Sequence, residues 1–229
     1  MYHALMPRDW PALFVGLLML LYWASVIVMV IKTKKDVGKA ANFLPPEPVG
    51  RIVRLLWYPV VIIWIVHPIS YALVHRPARW ARPPRQFVHV QDLAWPALAI
   101  AIAAFAATLV CWRRMGKSWR MGIDPNETTE LIVRGPYAYV RHPIYTLSIT
   151  LMACTMVILP SPIMLVTGAL HIAFLLWESR REERYLLHIH GQPYADYSER
   201  TGRFFPRTSR QSHRPASGIL PRQSGIDPR

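Results

Sequence analysis

Pro143-Ile-Tyr-Thr-Leu-Ser-Ile-Thr-Leu-Met-Ala-Cys-Thr-Met-Val-Ile-Leu-Pro-Ser-Pro162, continued by an apolar stretch to Trp177, is the passage that decides the fold. Two short apolar segments, Ile144 to Leu159 and Ser161 to Trp177, meet at Pro160, with Pro143 and Pro162 beside them. Proline lacks an amide hydrogen and interrupts a helix rather than continuing it. The passage therefore reads as a tight helical hairpin that reaches slightly less deep than two full spans. The alternative is one long re-entrant unit. The hairpin is favoured because unpaired backbone cannot face lipid, and short helices pair it internally.

Upstream lie three longer apolar runs, Pro11 to Ile31, Leu55 to Val74 and Leu93 to Trp112. Each has about 20 residues, the length that carries a helix across a hydrocarbon core. Apolar residues make up 52% of the 229, the mean hydropathy is +0.18, and the charges are gathered into blocks between the apolar runs. The chain thus reads as all-α, a polytopic membrane protein of five transmembrane helices ending in the hairpin and a cytosolic amphipathic extension. The first run is long, lacks a small-residue cleavage site and is followed by Lys32, Lys34 and Lys35. It reads as a retained anchor rather than a signal peptide.

A net charge of +14 would suggest nucleic acid in a water-soluble protein. Its distribution points elsewhere. If five helices cross, one side carries twenty-two Lys/Arg in residues 32–54, 113–143 and the C-terminal region, and the other carries five, Arg8 and four arginines in 75–92. This is the positive-inside pattern, with the N-terminus outside and the C-terminus cytosolic. Removing one hairpin helix would put the basic C-terminal region on the wrong side. Headgroup attraction explains the basic loops, so the bilayer is the expected partner and nucleic acid is not. Cys111 and Cys154 have no CxxC spacing and read as packing residues. Asn126-Glu-Thr matches a glycosylation sequon, on a cytosolic loop that never meets that machinery.

Three regions follow: a three-helix membrane region (1–112), a region bearing the chemistry (113–206) and a Ser-, Arg- and Pro-rich tail (207–229) expected to be disordered. In the first, Trp10, Trp57, Tyr58, Trp95 and Trp112 sit near span ends as interfacial belts, and nothing carries obvious chemistry. His67, before Pro68, is either a functional intramembrane group or a hydrogen-bonded histidine at a proline kink. In the second region Asp124-Pro-Asn-Glu signals a turn and Leu131-Ile-Val133 a short extended piece. Pro143 fits the first turn of the fourth helix, where a missing amide costs nothing. From Glu178 the fifth helix continues out of the membrane as a charged extension that should end near Gly191.

His171, Glu178 and Glu182 are spaced by seven and four, so on a straight helix both glutamates lie within about 20° of His171. Glu183 lies about 100° around and faces a different partner. Pairing with Arg180, Arg181 and Arg184 on a solvated helix explains the carboxylates by themselves. It does not explain His171, an ionisable group inside an apolar run, where such a group usually faces a cavity. Arg141 and His142 start one hairpin helix while the glutamates leave the other, so a tight turn gathers both at the cytosolic end. Snorkelling by Arg141 and carbonyl capping by His142 are the plain alternatives.

Gly135-Pro-Tyr-Ala-Tyr-Val-Arg-His-Pro-Ile-Tyr145, the hairpin, Glu182-Glu183-Arg-Tyr-Leu186, Gly191-Gln-Pro-Tyr194-Ala-Asp-Tyr197 and Arg203-Phe-Phe-Pro206 together resemble the isoprenylcysteine carboxyl methyltransferase family, whose C-terminal pattern the phospholipid N-methyltransferases share. The resemblance covers Met115 to Pro206. It implies that the C-terminal helices and cytosolic segments enclose S-adenosylmethionine, while a lipid-like acceptor arrives from the bilayer. Carried onto this chain, it makes Arg141 and Glu182 the catalytic candidates and Tyr137, His142, Pro143, Tyr145 and Glu183 the cofactor-binding ones. The polar stripe adds His171 and Glu178 as substrate-tunnel candidates. No Gly-rich Rossmann loop is visible, and no metal is expected, since His188 and His190 fall on opposite sides of a helix.

The chemistry suits this assignment. A cofactor bearing a sulfonium and an ammonium calls for carboxylates, supplied by Glu182 or Glu183. Its own carboxylate calls for a donor, Arg141 or the amides at the fourth helix start. Methyl transfer is an in-line displacement accelerated by alignment and exclusion of water. A carboxylate acceptor needs an orienting arginine and no base, whereas an amine must lose a proton, to Glu182 or His142. The expected activity is methyl transfer to a lipophilic acceptor, foremost the carboxylate of an isoprenoid-type thioether. Phospholipid or small-amine N-methylation is the alternative. Further behind stand a non-enzymatic scaffold and an NADPH-dependent sterol-type reductase, which typically has Gly-Glu where this chain has Thr146-Leu147. Leu187-His-Ile-His190 stands where eukaryotic family members are richer in Phe. The compact plan looks prokaryotic, which implies an inner membrane and leaves the acceptor and the oligomeric state open.

Overall fold

The computed structural model describes residues 9–38, 44–74, 78–83, 92–116, 119 and 131–207. The expected turn at Asp124, the sequon at Asn126 and the tail beyond residue 207 lie outside the described residues. Among the described residues six α-helices follow one another: α1 (Trp10–Val37), α2 (Pro48–Leu73), α3 (Ala94–Met115), α4 (Pro143–Ile158), α5 (Pro162–His190) and α6 (Gln192–Arg200). Among the described residues there is no strand, only a single bridge between Val140 and Gly202.

Helices α1, α2, α3 and α5 are long and apolar enough to cross a membrane, and α4 is a shorter apolar helix of 16 residues. At 1.5 Å per residue α4 is about 24 Å long, short of a hydrocarbon core of about 30 Å. The protein is thus a polytopic all-α membrane protein, and its fourth helix is the shallow one. Its outer faces expose Leu21, Val28, Leu56, Ile62, Ile100 and Val166 while Val15, Met19, Trp64, Leu151, Met152 and Met164 are enclosed. Apolar residues on both faces are what a lipid solvent allows.

The hairpin forms as its prolines require. The Leu159 amide still bonds back to Thr155 at 2.8 Å, and then Ser161 caps α5 by accepting from the Met164 amide at 3.3 Å. Pro162 stands at the α5 start, where no intrahelical amide is needed. α5 runs on to Gly191, whose φ of 57° is the left-handed value that suits glycine.

At this hairpin end of the bundle, α2 is tied on by two side chains. Trp64 Nε1 donates to Thr155 Oγ1 at 2.9 Å, and His67 Nε2 lies 2.7 Å from Ser161 Oγ. His67 is therefore the hydrogen-bonded histidine of the two readings above. The belt expectation divides: Trp10 and Trp95 are exposed, whereas Trp57 and Trp112 are buried. Trp57 stacks on Phe174 with ring centroids 4.7 Å apart, and Trp112 packs at 5.5 Å from Tyr22. Both face the bundle interior because α5 and α1 offer them aromatic partners there.

Candidate active site

The opposite end of the bundle, where α1, α3 and α5 finish and α2 and α4 begin, holds the polar residues. Gly135, at φ 65°, opens a short 3-10 turn, Gly135–Ala138. The turn is held from α6: Tyr197 Oη donates to the Tyr137 carbonyl at 2.7 Å. Burial pushes the Tyr197 phenol up to about 12, so it stays a donor at neutral pH. Burial raises the Tyr137 phenol as well. Next, the amides of Arg141 and His142 bond to the carbonyls of Gly202 (2.8 Å) and Arg203 (3.1 Å). The α4 start is thereby laced to the segment after α6.

Glu183 is the knot of this lacing. One of its oxygens accepts from Arg141 Nε and Arg203 Nε, both at 2.9 Å, and lies 3.3 Å from His142 Nε2; the other accepts from Arg203 Nη2 at 2.5 Å. Arg141 spends its Nη1 on the carbonyls of Ser198, at 2.7 Å, and Thr201. Such charge-assisted bonds are the strong ones. Glu182, one residue earlier, meets His142 Nδ1 at 3.5 Å instead, and its side chain is 36% exposed. The His142 ring lies parallel to Tyr145, centroids 5.2 Å apart.

Beside this knot is a cavity of about 120 Å³. Its walls come from Tyr22, Trp23 and Val26 of α1, Arg54 and Trp57 of α2, Trp112 and Met115 of α3 with Trp119, the stretch from Tyr137 to Ser148, and Phe174, Leu175, Glu178 and Glu182 of α5. It has room for several waters but is smaller than the roughly 300–1,000 Å³ of a typical small-molecule site. A ladder of alternating charges leads away from one wall, where Arg54 and Glu178 line the cavity. Glu47 lies 3.1 Å from Arg181 Nη1, Arg181 Nε lies 3.6 Å from Glu178, and Glu178 accepts from Arg54 Nη2 at 3.4 Å. The Arg181 nitrogens have these charges near but no hydrogen-bond alignment. Arg54 also lies over the Trp57 and Phe174 rings, at 5.4 and 5.3 Å.

Of the residues selected from the sequence, Tyr137, Arg141, His142, Pro143, Tyr145, Glu178 and Glu182 line this one cavity. Glu183 and His171 do not. Glu183 lies behind the wall within its knot. His171 is fully enclosed, accepting from Trp57 Nε1 at 3.1 Å, with Ser148 Oγ 3.0 Å from its other ring nitrogen. Both of its partners, Trp57 and Ser148, do line the cavity. Sequence reasoning found nothing in the first half of the chain, yet Tyr22, Trp23, Arg54, Trp57 and Trp112 supply a large part of the wall. Arg54, an arginine near the start of an apolar run, was the one available signal. Arg203 lay within a quoted motif without being singled out.

Fold and site together define a polytopic helical membrane protein with a polar, aromatic-walled cavity at one end of its bundle. Residues 97–188 match the model of the isoprenylcysteine carboxyl methyltransferase (ICMT) family, so this region of the chain is similar to a family of methyltransferases. The match takes in α3, α4 and most of α5 but not α1, α2 or Arg203. Over 150 residues the chain is 27% identical to the nickel-cobalt-cadmium resistance protein NccN of Alcaligenes xylosoxydans xylosoxydans. The chain spans 64% of the length of that curated relative, and the same share of this chain is aligned.

Proposed function

We propose that the protein is an S-adenosylmethionine-dependent methyltransferase whose cofactor lies at the cavity between α4 and α5 and whose acceptor is a lipophilic molecule drawn from the bilayer, foremost one with a carboxylate. The observation that carries this reading is the convergence of seven sequence-selected residues on one cavity, in a chain whose residues 97–188 are similar to a methyltransferase family.

The residues present fit such a cofactor. Trp23 Nε1 is buried on the cavity wall without a hydrogen-bond partner among the described residues, so a donor is left for a ligand. Glu182 is the carboxylate of the wall that meets a histidine rather than an arginine, which leaves it to face a cation. The Trp57, Tyr145 and Phe174 rings line the same wall, aromatic surroundings that suit a sulfonium. When bound, the cofactor would supply an electrophilic methyl group. The chain's part is to orient both reactants and exclude water. Within this reading Arg141 and Glu183 position the α4 start and His142, and Arg54 stands at the wall as a cation for an acceptor carboxylate. Because the cavity is small, about 120 Å³, binding requires it to widen.

Calorimetry with S-adenosylhomocysteine on detergent-purified protein tests the reading. Wild type should bind, and Glu182→Gln should bind roughly 10- to 100-fold more weakly, the worth of one hydrogen bond to a charged group. NADPH should not bind. If wild-type protein takes up no S-adenosylhomocysteine, the methyltransferase reading is wrong.

A further inference from the structure

A second cavity, of about 730 Å³, lies in the outer seam between α1 and α3, apart from the polar residues described above. Leu21, Val28 and Leu109 make its apolar part, and Lys32 and Arg113, with Asp36 beside them, line the part nearest the basic end of the bundle. Leu21 and Val28 are 55% and 62% exposed, so the seam faces the lipid side. Of the described lining residues, Trp112 is shared with the inner cavity. Its buried indole therefore stands between a groove open to lipid and the candidate active site.

From this arrangement we propose that the α1–α3 groove binds an anionic amphiphile from the surrounding leaflet, and that Trp112 is the partition past which the amphiphile reaches the inner cavity. The inference rests on the methyltransferase reading for its purpose but on the groove's own geometry for its binding. From Leu21 to Asp36 the α1 face measures about 22 Å at 1.5 Å per residue. That is close to one leaflet, roughly half of a 40–45 Å bilayer with its headgroups. A hydrocarbon chain would lie against Leu21, Val28 and Leu109, and its headgroup would meet Lys32 and Arg113. Two cations against the single Asp36 favour a negative headgroup. The route past Glu182 and His142 instead would draw the chain through water and past charge, at the cost of exposing apolar surface. An indole turns about two side-chain torsions, so Trp112 can yield without disturbing the α3 backbone.

The probe is a stearic acid carrying a mid-chain diazirine, added to protein in phosphatidylcholine nanodiscs, photolysed and mapped by mass spectrometry. Labelling should concentrate on residues 21–28 and 109, exceed that on the lipid-facing α2 residues Ile62 and Val66 at least fivefold, and fall for the uncharged methyl ester. Ser25 also lines the groove, and Ser25→Trp should fill it and abolish this excess. The Ser25 hydroxyl bonds only back to Leu21 of its own helix, at 2.8 Å, so the fold should survive, with S-adenosylhomocysteine affinity as in wild type. Trp112→Ala should extend the label to Val26 and Trp57 in the inner cavity. Groove labelling no greater than on α2, or undiminished in Ser25→Trp, would overturn the proposal. So would label confined to the groove in Trp112→Ala, which would mark a resident-lipid site only. If wild type bound no S-adenosylhomocysteine yet labelled as described, the methyltransferase reading would fail and the groove would stand.

Discussion

Glu182 and Glu183 are adjacent in the chain and live in different surroundings. The 100° step between neighbouring helical residues turns one toward the cavity and the other into a knot of Arg141, His142 and Arg203. Their amide variants should therefore part company. Glu183→Gln leaves two guanidiniums, 13% and 33% exposed, without their counter-charge. The expected loss is roughly 2 kcal/mol or more, between the limits for surface and buried pairs. Thermal unfolding in detergent should show a clearly lowered midpoint for Glu183→Gln and an almost unchanged one for Glu182→Gln. Equal midpoints would remove the distinction between a structural and a cavity-facing carboxylate. Helical spacing alone separates the two glutamates. That Arg203 is the second arginine of the knot depends on how the chain folds back after α6.

Among the elements, the segment after α6 does most to position the site. It has no regular structure, yet its carbonyls at Gly202 and Arg203 receive the amides of Arg141 and His142. At Gly202 the chain folds so tightly that an added Cβ would lie 1.8 Å from the Phe205 carbonyl oxygen. Backbone cannot yield there as a flexible side chain would. Gly202→Ala should cost on the order of 2 kcal/mol or more and speed hydrogen exchange at the Arg141 and His142 amides. Native-like protection of those two amides in the variant would contradict this. At Gly50 in α2 an added Cβ would lie 2.4 Å from Arg181 Nη1, the far end of a flexible side chain that would have to shift. The hairpin itself was legible because prolines act locally on their own backbone. The Gly50 contact was not, because it depends on a residue brought close only by folding.

At the scale of the whole molecule, the distribution of Lys and Arg calls for an N-terminus outside and a C-terminus in the cytosol. Reporter fusions at the C-terminal end should be active only as cytosolic reporters, and a cysteine placed in residues 78–83 should react with an impermeant thiol reagent from outside the cell. The opposite pattern would invert the topology and place the candidate site on the wrong face for a cytosolic cofactor. The expected boundary near residue 112 does not divide the site, since α1 and α2 wall the cavity together with α4 and α5. Helix number, the hairpin and the crowding of charge at one end were determined by the sequence alone. A bilayer constrains each of these locally, through apolar length, proline and charge. Which side chains share the cavity was decided by the tertiary structure. Arg54 meets Glu178 across 124 residues, and Trp57 and Trp112 turn inward rather than toward the headgroups, because helix rotation is set by packing between helices and by no pattern within one of them.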